Sequence, residues 1–232
     1  MKKILIVTRS FYPNNWPRAF RATELAKEFA RQGHIVTVIT PIVSEHVAFE
    51  KKHNIIIKDL GVVRFKGLKI KGKGVQLIIR KSINKLSNWL FEFPNIQLIW
   101  NVTNSLKKEK GHDLILSIAH PYPIHWGVAS IWNKNQSIAK YWIADCGDPY
   151  LNQDNGGWKP PFYFGFVEKW FMRKATFITV PIVEALSGYF EEFHDKIKII
   201  PQGFRFEDII LSEGYPSEDR LTFGYAGMFI PG

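Results

Sequence analysis

The segment KILIVTRSFYPNNWPRAFRATELAKEFARQGHIVTVIT, residues 3–40, sets the class of fold. It opens with an apolar run at residues 3–8, which is typical of a strand buried on both faces. Apolar residues then recur at helical spacing between residues 22 and 30, and Gly33 follows as a helix-terminating residue. A second apolar run at residues 35–39 completes a strand–helix–strand unit, which predicts the start of a parallel sheet.

The same alternation of apolar runs and helical patterns continues along the chain. Further strands are predicted at residues 54–60, 62–66, 113–118, 139–143, 176–180 and 196–200. Helices are predicted at residues 75–90, 96–110, 124–133, 161–174 and 182–193. This pattern predicts an α/β fold, a Rossmann-like doubly wound parallel sheet over residues 1–205, whose ligands bind at the carboxyl ends of the strands.

The last part of the chain is expected to lie outside that domain. Several acidic residues together with Gly214 and Pro216 make residues 206–220 typical of a linker between domains. The apolar run that follows ends in Gly227. We therefore expect residues 221–232 to be the first strand of a second domain that this chain does not contain.

Composition excludes several classes of protein. The chain has 232 residues, a formal net charge of +10, 46% hydrophobic residues and a single cysteine. It has no apolar run of about eighteen residues, which excludes a membrane-spanning protein. The single cysteine excludes a disulfide scaffold, and the hydrophobic content excludes a disordered chain. The short apolar run at the start is not typical of a signal peptide, and a lone Cys146 fits a reducing compartment. We therefore expect a cytoplasmic protein, either free or peripheral at the inner face of the membrane.

Positive charge is concentrated in one segment. Residues 60–91 contain eight basic residues and no acidic one, and residues 75–90 carry an apolar stripe at helical spacing. That stripe could pack on the sheet, or the helix could lie on an anionic membrane surface. Nucleic acid is not expected, because no zinc-finger, RNP or helix-turn-helix pattern accompanies the charge. The candidate membrane-facing residues are Lys71, Lys73, Arg80, Lys81 and Lys85.

The loop after the first strand does not fit the common nucleotide cofactors. It lacks the Gly-x-Gly-x-x-Gly pattern, and two prolines and two bulky aromatic residues would keep the backbone away from a pyrophosphate. The P-loop pattern is also absent from the chain. The following helix begins near Arg18, and Arg18 and Arg21 would strengthen the attraction of its N-terminus for anions.

Two later strand ends carry polar candidates. His120 follows the strand at residues 113–118, either as a functional group or as the partner of a buried backbone group, whereas His125 is expected to be a packing residue. Asp145 and Asp148 follow the next strand, where they could act as acid and base, accept hydrogen bonds from sugar hydroxyls, or form a turn. The histidine spacing does not fit a zinc site, and Cys146 is expected to be a structural thiol.

Taken together, the motifs resemble the N-terminal half of family-four retaining glycosyltransferases, which consist of two facing Rossmann-like domains in the GT-B arrangement. Residues 144–149 (ADCGDP) resemble the family's Asp-x-x-Asp-Pro, and residues 200–204 (IPQGF) are similar to its Pro-Asn-Gly-Phe signature. The other segments that carry the resemblance are residues 4–7, 18–40, 168–175 and 223–227.

The resemblance implies a function and a set of site residues. The chain would be the acceptor-binding half of an enzyme that transfers a sugar from a nucleotide sugar to a saccharide or lipid-linked acceptor in surface polysaccharide biosynthesis, without a metal ion. His120 would be the catalytic residue, and the acceptor-binding residues would be Asn14, Asn15, Arg18, Asp145 and Asp148. Without a donor-binding half the chain would be inactive. A non-catalytic sugar- or membrane-binding module and an epimerase acting on nucleotide sugars remain alternatives.

Overall fold

A computed structural model describes residues 1–133, 138–152, 159–203, 205 and 207, and these residues form a seven-stranded parallel sheet. The strands in chain order are β1 Lys3–Thr8, β2 Ile35–Thr40, β3 Ile56–Asp59, β4 His112–Ile118, β5 Ala139–Asp145, β6 Phe177–Val180 and β7 Ile197–Ile199. Their order across the sheet is β3-β2-β1-β4-β5-β6-β7. The predicted α/β, Rossmann-like doubly wound sheet is therefore confirmed.

Helices connect most of the strands. They are α1 Pro17–Arg31, α2 His46–His53, α3 Val75–Phe91, α4 Leu98–Leu106, α5 Pro123–Ile131 and α6 Phe164–Lys174. Short 3-10 segments occur at Asn95–Gln97, Val183–Gly188 and Glu191–Lys196. Within the described ranges, no helix is both long and apolar enough to cross a membrane.

The core lies on both faces of the sheet, as the buried apolar run of β1 requires. Leu5 and Val7 belong to a large cluster that includes apolar residues of α4, α5 and α6. Ile4 and Ile6 belong to a second cluster that includes apolar residues of α1 and α2. Successive side chains of a strand point to opposite faces, so one strand supplies both clusters.

The structure corrects two predictions of secondary structure. The predicted strand at residues 62–66 is a loop, because the side-chain oxygen of Gln97 accepts the backbone N–H groups of Arg64 and Phe65, both at 2.7 Å. The predicted helix at residues 182–193 is replaced by two 3-10 segments separated by extended backbone at Tyr189. A methyl group at Gly188 would lie 2.2 Å from Pro149 Cγ, so the chain makes a close contact with another loop where the helix would have continued.

One observed helix was not predicted, and two predicted segments stay untested. α2 was not predicted, because its short sequence has only two buried residues, His46 and Phe49, and no clear apolar stripe. The predicted linker at residues 206–220 and the predicted strand at 221–232 lie outside the described residues, apart from Glu207. Both therefore stay predictions.

Candidate functional site

The carboxyl ends of four strands lie side by side. Thr8 of β1 is in register with Ile118 of β4, which pairs with Asp145 of β5, which in turn pairs with Thr179 of β6. β1 and β4 are neighbours in the sheet. From β1 the chain continues outward to β2 and β3, whereas from β4 it continues outward in the opposite direction to β5, β6 and β7, so the strand order reverses between β1 and β4. Ligands of doubly wound folds bind at such a switch point. The loops after β1, β4 and β5 therefore form the first candidate site, which we call the strand-end cleft.

Asp145 is completely buried beneath this cleft, where its carboxylate is hydrogen-bonded to other side chains of the protein. Its carboxylate accepts hydrogen bonds from Arg21 Nε at 2.6 Å and Arg21 Nη2 at 2.8 Å, and from Thr179 Oγ1 at 2.6 Å. Arg21 also donates to the backbone carbonyls of Ile200 and Pro201, at 3.1 and 3.2 Å. The pair therefore ties α1 to β5, β6 and the segment after β7. Direct contact of Asp145 with an acceptor stays a prediction, and the geometry shown is that of a positioning residue.

Arg18 lies over the loop that follows β5. Its Nη1 atom is 3.8 Å from Asp145 Oδ2, and its side chain keeps 18% of its surface exposed. Gly147 has a φ of +72°, and a methyl group there would lie 1.1 Å from Arg18 Nη2. Only glycine combines this backbone conformation with so close an approach. The sequence therefore places a partly exposed cation at the cleft.

His120 begins the loop after β4 and is exposed. Its ring centroid lies 5.1 Å from that of Tyr122. The surrounding protein desolvates the imidazole enough to lower the pKa of His120; the positive charge of Arg18 lowers it further, and Asp148 opposes both effects. Since the lowered pKa starts from 6.5, the imidazole is neutral at neutral pH and can exchange hydrogen bonds with hydroxyl groups.

The remaining predicted site residues are also exposed, but they lie in two places. Asp148 is at the strand-end cleft, where its backbone carbonyl accepts a hydrogen bond from the hydroxyl of the buried Tyr122. Asn14 and Asn15 instead line a cavity of about 550 Å³ between the first loop, α1 and α2. The structure thus brings Arg18, His120 and Asp148 together, with Asn14 and Asn15 in an adjacent cavity.

A buried hydrogen-bonded group lies behind His120. His125 Nδ1 is 2.8 Å from Ser117 Oγ, and its Nε2 is 3.6 Å from Cys146 Sγ. Burial lowers the pKa of His125 to about 3, and burial with the nearby Asp145 raises the pKa of Cys146 well above its usual value. A neutral imidazole and a protonated thiol with no exposed surface are structural groups, so His125 is a packing residue as predicted.

Sequence reasoning missed the role of two buried charged residues. Arg21 was identified only as a cation near a helix N-terminus, although its position three residues after Arg18 puts both on one side of α1. Glu168 of α6 is 1% exposed, and its Oε1 accepts the backbone N–H of Tyr150 at 3.2 Å. Burial raises the pKa of Glu168 to about 7, although the hydrogen bonds from the N–H groups of Tyr150 and Leu151 act to lower this pKa. Its Oε2 has no hydrogen-bond partner in the described part of the chain.

The basic helix α3 forms a second candidate surface and is not packed on the sheet, because none of its residues is buried. On its half-buried side, Arg80 donates to the carbonyl of Lys69 at 3.1 Å and Asn84 Nδ2 donates to that of Leu68 at 2.8 Å, alongside the half-buried Leu77, Trp89 and Leu90. The apolar stripe points to solvent, with Val75 71% and Ile79 51% exposed. The α3 surface comprises this stripe together with Lys71, Lys73, Lys81 and Lys85.

In residues 1–133, 138–152 and 159–203, no three histidine, cysteine, aspartate or glutamate side chains cluster as metal ligands would. No protein-family model matches the chain, and no curated protein matches it. Solved structures of similar fold include a glycosyltransferase from Rickettsia africae ESF-5, with a TM-score of 0.46 and 16% identity over 87% of this chain and 43% of that chain.

Two further solved structures are similar in the same way. MurG from Acinetobacter baumannii has a TM-score of 0.41 and 12% identity over 80% of this chain and 42% of that chain. The catalytic domain of starch synthase IV from Arabidopsis thaliana, bound to ADP and acarbose, has a TM-score of 0.48 and 12% identity over 87% of this chain and 52% of that chain. The chain thus spans about half the length of these structures, and the likeness is one of fold.

Proposed function

We propose that the chain is the acceptor-binding half of a GT-B-type retaining glycosyltransferase, which transfers a sugar from a nucleotide sugar to a saccharide or lipid-linked acceptor in surface polysaccharide assembly. The observation that carries this proposal is the strand-end cleft, where a neutral His120, the cation of Arg18 and the carboxylate of Asp148 meet at the switch point of the sheet. The order of the family-four motifs along the chain supports the same function.

The cleft suits glycosyl transfer chemically. A departing nucleoside diphosphate needs positive charge or oriented N–H groups around it and little covalent help from the protein. Arg18 supplies a partly exposed guanidinium, and beside it the side chain of the N-cap residue Trp16 makes no capping hydrogen bond to the N-terminus of α1. His120 and Asp148 supply the hydrogen-bonding groups for sugar hydroxyls. The buried pair of Arg21 and Asp145 keeps α1 in place against β5.

The nucleotide sugar is a substrate in this proposal, and neither a metal ion nor a resident cofactor takes part. In this proposal the donor-binding half is a further Rossmann-like domain, as in the family that the motifs resemble. The family's motifs for donor phosphates and sugar belong to that half, so the proposed chemistry requires both halves.

The test is sugar transfer by the protein that carries this chain together with a donor-binding domain, assayed with a panel of nucleotide sugars and with His120→Ala. Removing a hydrogen-bonding group that acts on the transition state should lower the transfer rate by roughly a hundredfold or more. His34→Ala is the matched control, because His34 immediately precedes β2, at the amino ends of the strands and away from the cleft, and should leave the rate unchanged. NMR of the product linkage checks retention of configuration.

Two results would overturn parts of the proposal. If no nucleotide sugar in the panel is consumed, a binding module with this fold replaces the enzyme. If transfer occurs and His120→Ala transfers as fast as the wild type, the reaction takes place away from His120.

We also propose that the α3 surface contacts an anionic membrane. Exposed apolar residues beside lysines are typical of helices that lie in the interface of a bilayer, where both the apolar area and the positive charge contribute to binding. The chain should sediment with vesicles of phosphatidylglycerol and phosphatidylcholine but not with phosphatidylcholine alone, and salt should weaken the binding.

A charge reversal provides the control for this membrane contact. Lys81→Glu with Lys85→Glu should abolish sedimentation with the anionic vesicles, because both residues belong to the α3 surface. Lys107→Glu with Lys108→Glu changes the net charge equally at exposed positions after α4 and should bind as the wild type does. Equal loss in both double variants would show that net charge alone, and not the α3 surface, attracts the protein.

A further inference from the structure

An apolar groove lies between the end of α3 and α6, with a volume of about 450 Å³. We call it the α3–α6 groove; its walls include Leu90 and Phe91 of α3, Ile99 of α4, Trp126 of α5, and Phe166 and Trp170 of α6. Its volume is within the range of about 300–1,000 Å³ that is usual for small-molecule sites. Unlike most such sites it has an almost wholly apolar lining, so its ligand should itself be apolar where the groove holds it.

The groove opens to solvent between large exposed aromatic rings. Phe91 on one wall is 61% exposed and Phe166 on the other is 71% exposed. Phe162, just before α6, is 81% exposed. A contiguous apolar patch of this kind on a protein surface marks a binding site more often than a single exposed residue does.

Charge indicates which apolar ligand fits. The groove begins at the C-terminal end of α3, and the segment that leads into it, residues 60–91, has eight basic residues and no acidic one. A hydrocarbon chain that carries an anionic head group complements an apolar groove beside a basic surface. Leu90, at the end of the apolar stripe of α3, also lines the groove, so a lipid leaving the bilayer at α3 would meet the groove directly.

The groove and the strand-end cleft are neighbours through aromatic side chains. The ring of Trp126 in the groove wall contacts that of Tyr150 at 5.7 Å between centroids. Tyr150 contacts Tyr122 at 4.8 Å, and Tyr122 contacts His120 at 5.1 Å. Three ring contacts therefore separate the groove wall from His120.

We propose that the α3–α6 groove binds a single hydrocarbon chain of a lipid phosphate, and that this lipid is the anchor of the acceptor. The second clause rests on the proposed function, since it uses the strand-end cleft as the place where the head group receives the sugar. The groove thus selects lipid-linked acceptors over free saccharides and holds the chain outside the bilayer during transfer.

The first test is binding of farnesyl phosphate to the chain, measured by titration calorimetry below the concentration at which the lipid forms micelles. The wild type should bind it, and Phe166→Glu should weaken binding by at least tenfold, because it puts a carboxylate into the apolar wall that contacts the hydrocarbon chain. Phe91→Glu on the opposite wall should act in the same way. Excess inorganic phosphate should not compete, because the hydrocarbon chain supplies most of the contact.

Val47→Glu is the matched control, since Val47 is 73% exposed on α2, away from the groove. It introduces the same charge and should leave binding unchanged. Circular dichroism should show that all three variants fold, because each change is at an exposed position. Absence of farnesyl phosphate binding by the wild type, or equal binding by Phe166→Glu and the wild type, would overturn the groove as a lipid site. Full competition by inorganic phosphate would overturn it as well.

The transfer assay keeps the two proposals apart. If farnesyl phosphate binds as expected and no nucleotide sugar is consumed with any acceptor, the groove stands and the proposed function fails. If sugar is transferred to soluble saccharides but the groove binds no lipid, the proposed function stands and the lipid anchor is wrong.

Discussion

The buried pair of Arg21 and Asp145 makes the sharpest prediction about the stability of the fold. In Asp145→Asn the side chain keeps its shape and loses its charge. In the wild type, the carboxylate of Asp145 accepts two hydrogen bonds from Arg21, at 2.6 and 2.8 Å, and one from Thr179 at 2.6 Å. Arg21 is only 3% exposed, so the variant leaves a buried guanidinium without its counterion.

The size of the effect follows from that burial. Removing one partner of a buried ion pair costs about 3–5 kcal/mol, because the remaining charge is neither solvated nor compensated. One kcal/mol lowers the Tm of a domain of this size by roughly 2–4 °C. Asp145→Asn should therefore lower the Tm by about 6–20 °C. That loss is a large part of the 5–15 kcal/mol of stability that is typical of folded proteins.

Urea unfolding and calorimetry at one pH measure the effect, and Asp148→Asn is the matched control. Asp148 undergoes the same chemical change three residues later at an exposed position, so its variant should stay within about 0.5 kcal/mol of the wild type. The double variant Arg21→Met with Asp145→Leu should be more stable than either single variant, because no charge is left buried alone. Equal losses of stability in Asp145→Asn and Asp148→Asn would show that the Asp145 carboxylate does not stabilise the buried guanidinium of Arg21.

Three further predictions concern the same part of the molecule. Burial raises the pKa of Glu168 from 4.5 to about 7, so as the pH rises the carboxyl group ionises in the unfolded chain before it ionises in the folded chain. Between pH 4.5 and 7 the wild type should lose about 3 kcal/mol of stability that Glu168→Gln does not lose, and urea titrations that show parallel pH profiles would contradict this. Burial also raises the pKa of Cys146, so maleimide should label this thiol only after unfolding; rapid labelling of the folded chain would contradict its burial. Gly147→Ala should cost about 1–2 kcal/mol for its left-handed backbone alone. It should also displace Arg18 and slow sugar transfer. Gly33→Ala is the control, because Gly33 has a φ of +79° and open space around it, so this variant should lose stability but keep the rate of sugar transfer.

Much of the fold could be predicted from local pattern. The apolar run of β1 and the alternation after it were enough for a doubly wound parallel sheet, because a strand with both faces apolar must be covered on both sides. The same logic placed His120 and Asp148 at strand ends, where the structure has them. The helix at residues 182–193 was wrong because its sequence pattern does not show the contact between Gly188 and Pro149, whose positions along the chain are far apart.

The partners of buried charges could not be predicted in this way. Arg21 and Asp145 are 124 positions apart, and Glu168 meets the backbone of Tyr150 only because α6 packs beneath that loop. The orientation of α3 was left open for the same reason. Its stripe of apolar residues is amphipathic whether it faces a core or a membrane, and only the packed structure shows that the stripe is exposed.

The sequence by itself determined the class of the fold, the strand ends where ligands should bind, and the concentration of positive charge in residues 60–91. Those features are local, because backbone periodicity and charge are properties of neighbouring residues. The tertiary structure alone decided that Asp145 is a buried partner of Arg21, that Arg18 lies over Gly147, and that an apolar groove opens beside α3. Each of these features depends on segments distant along the chain meeting in space, which periodicity does not specify.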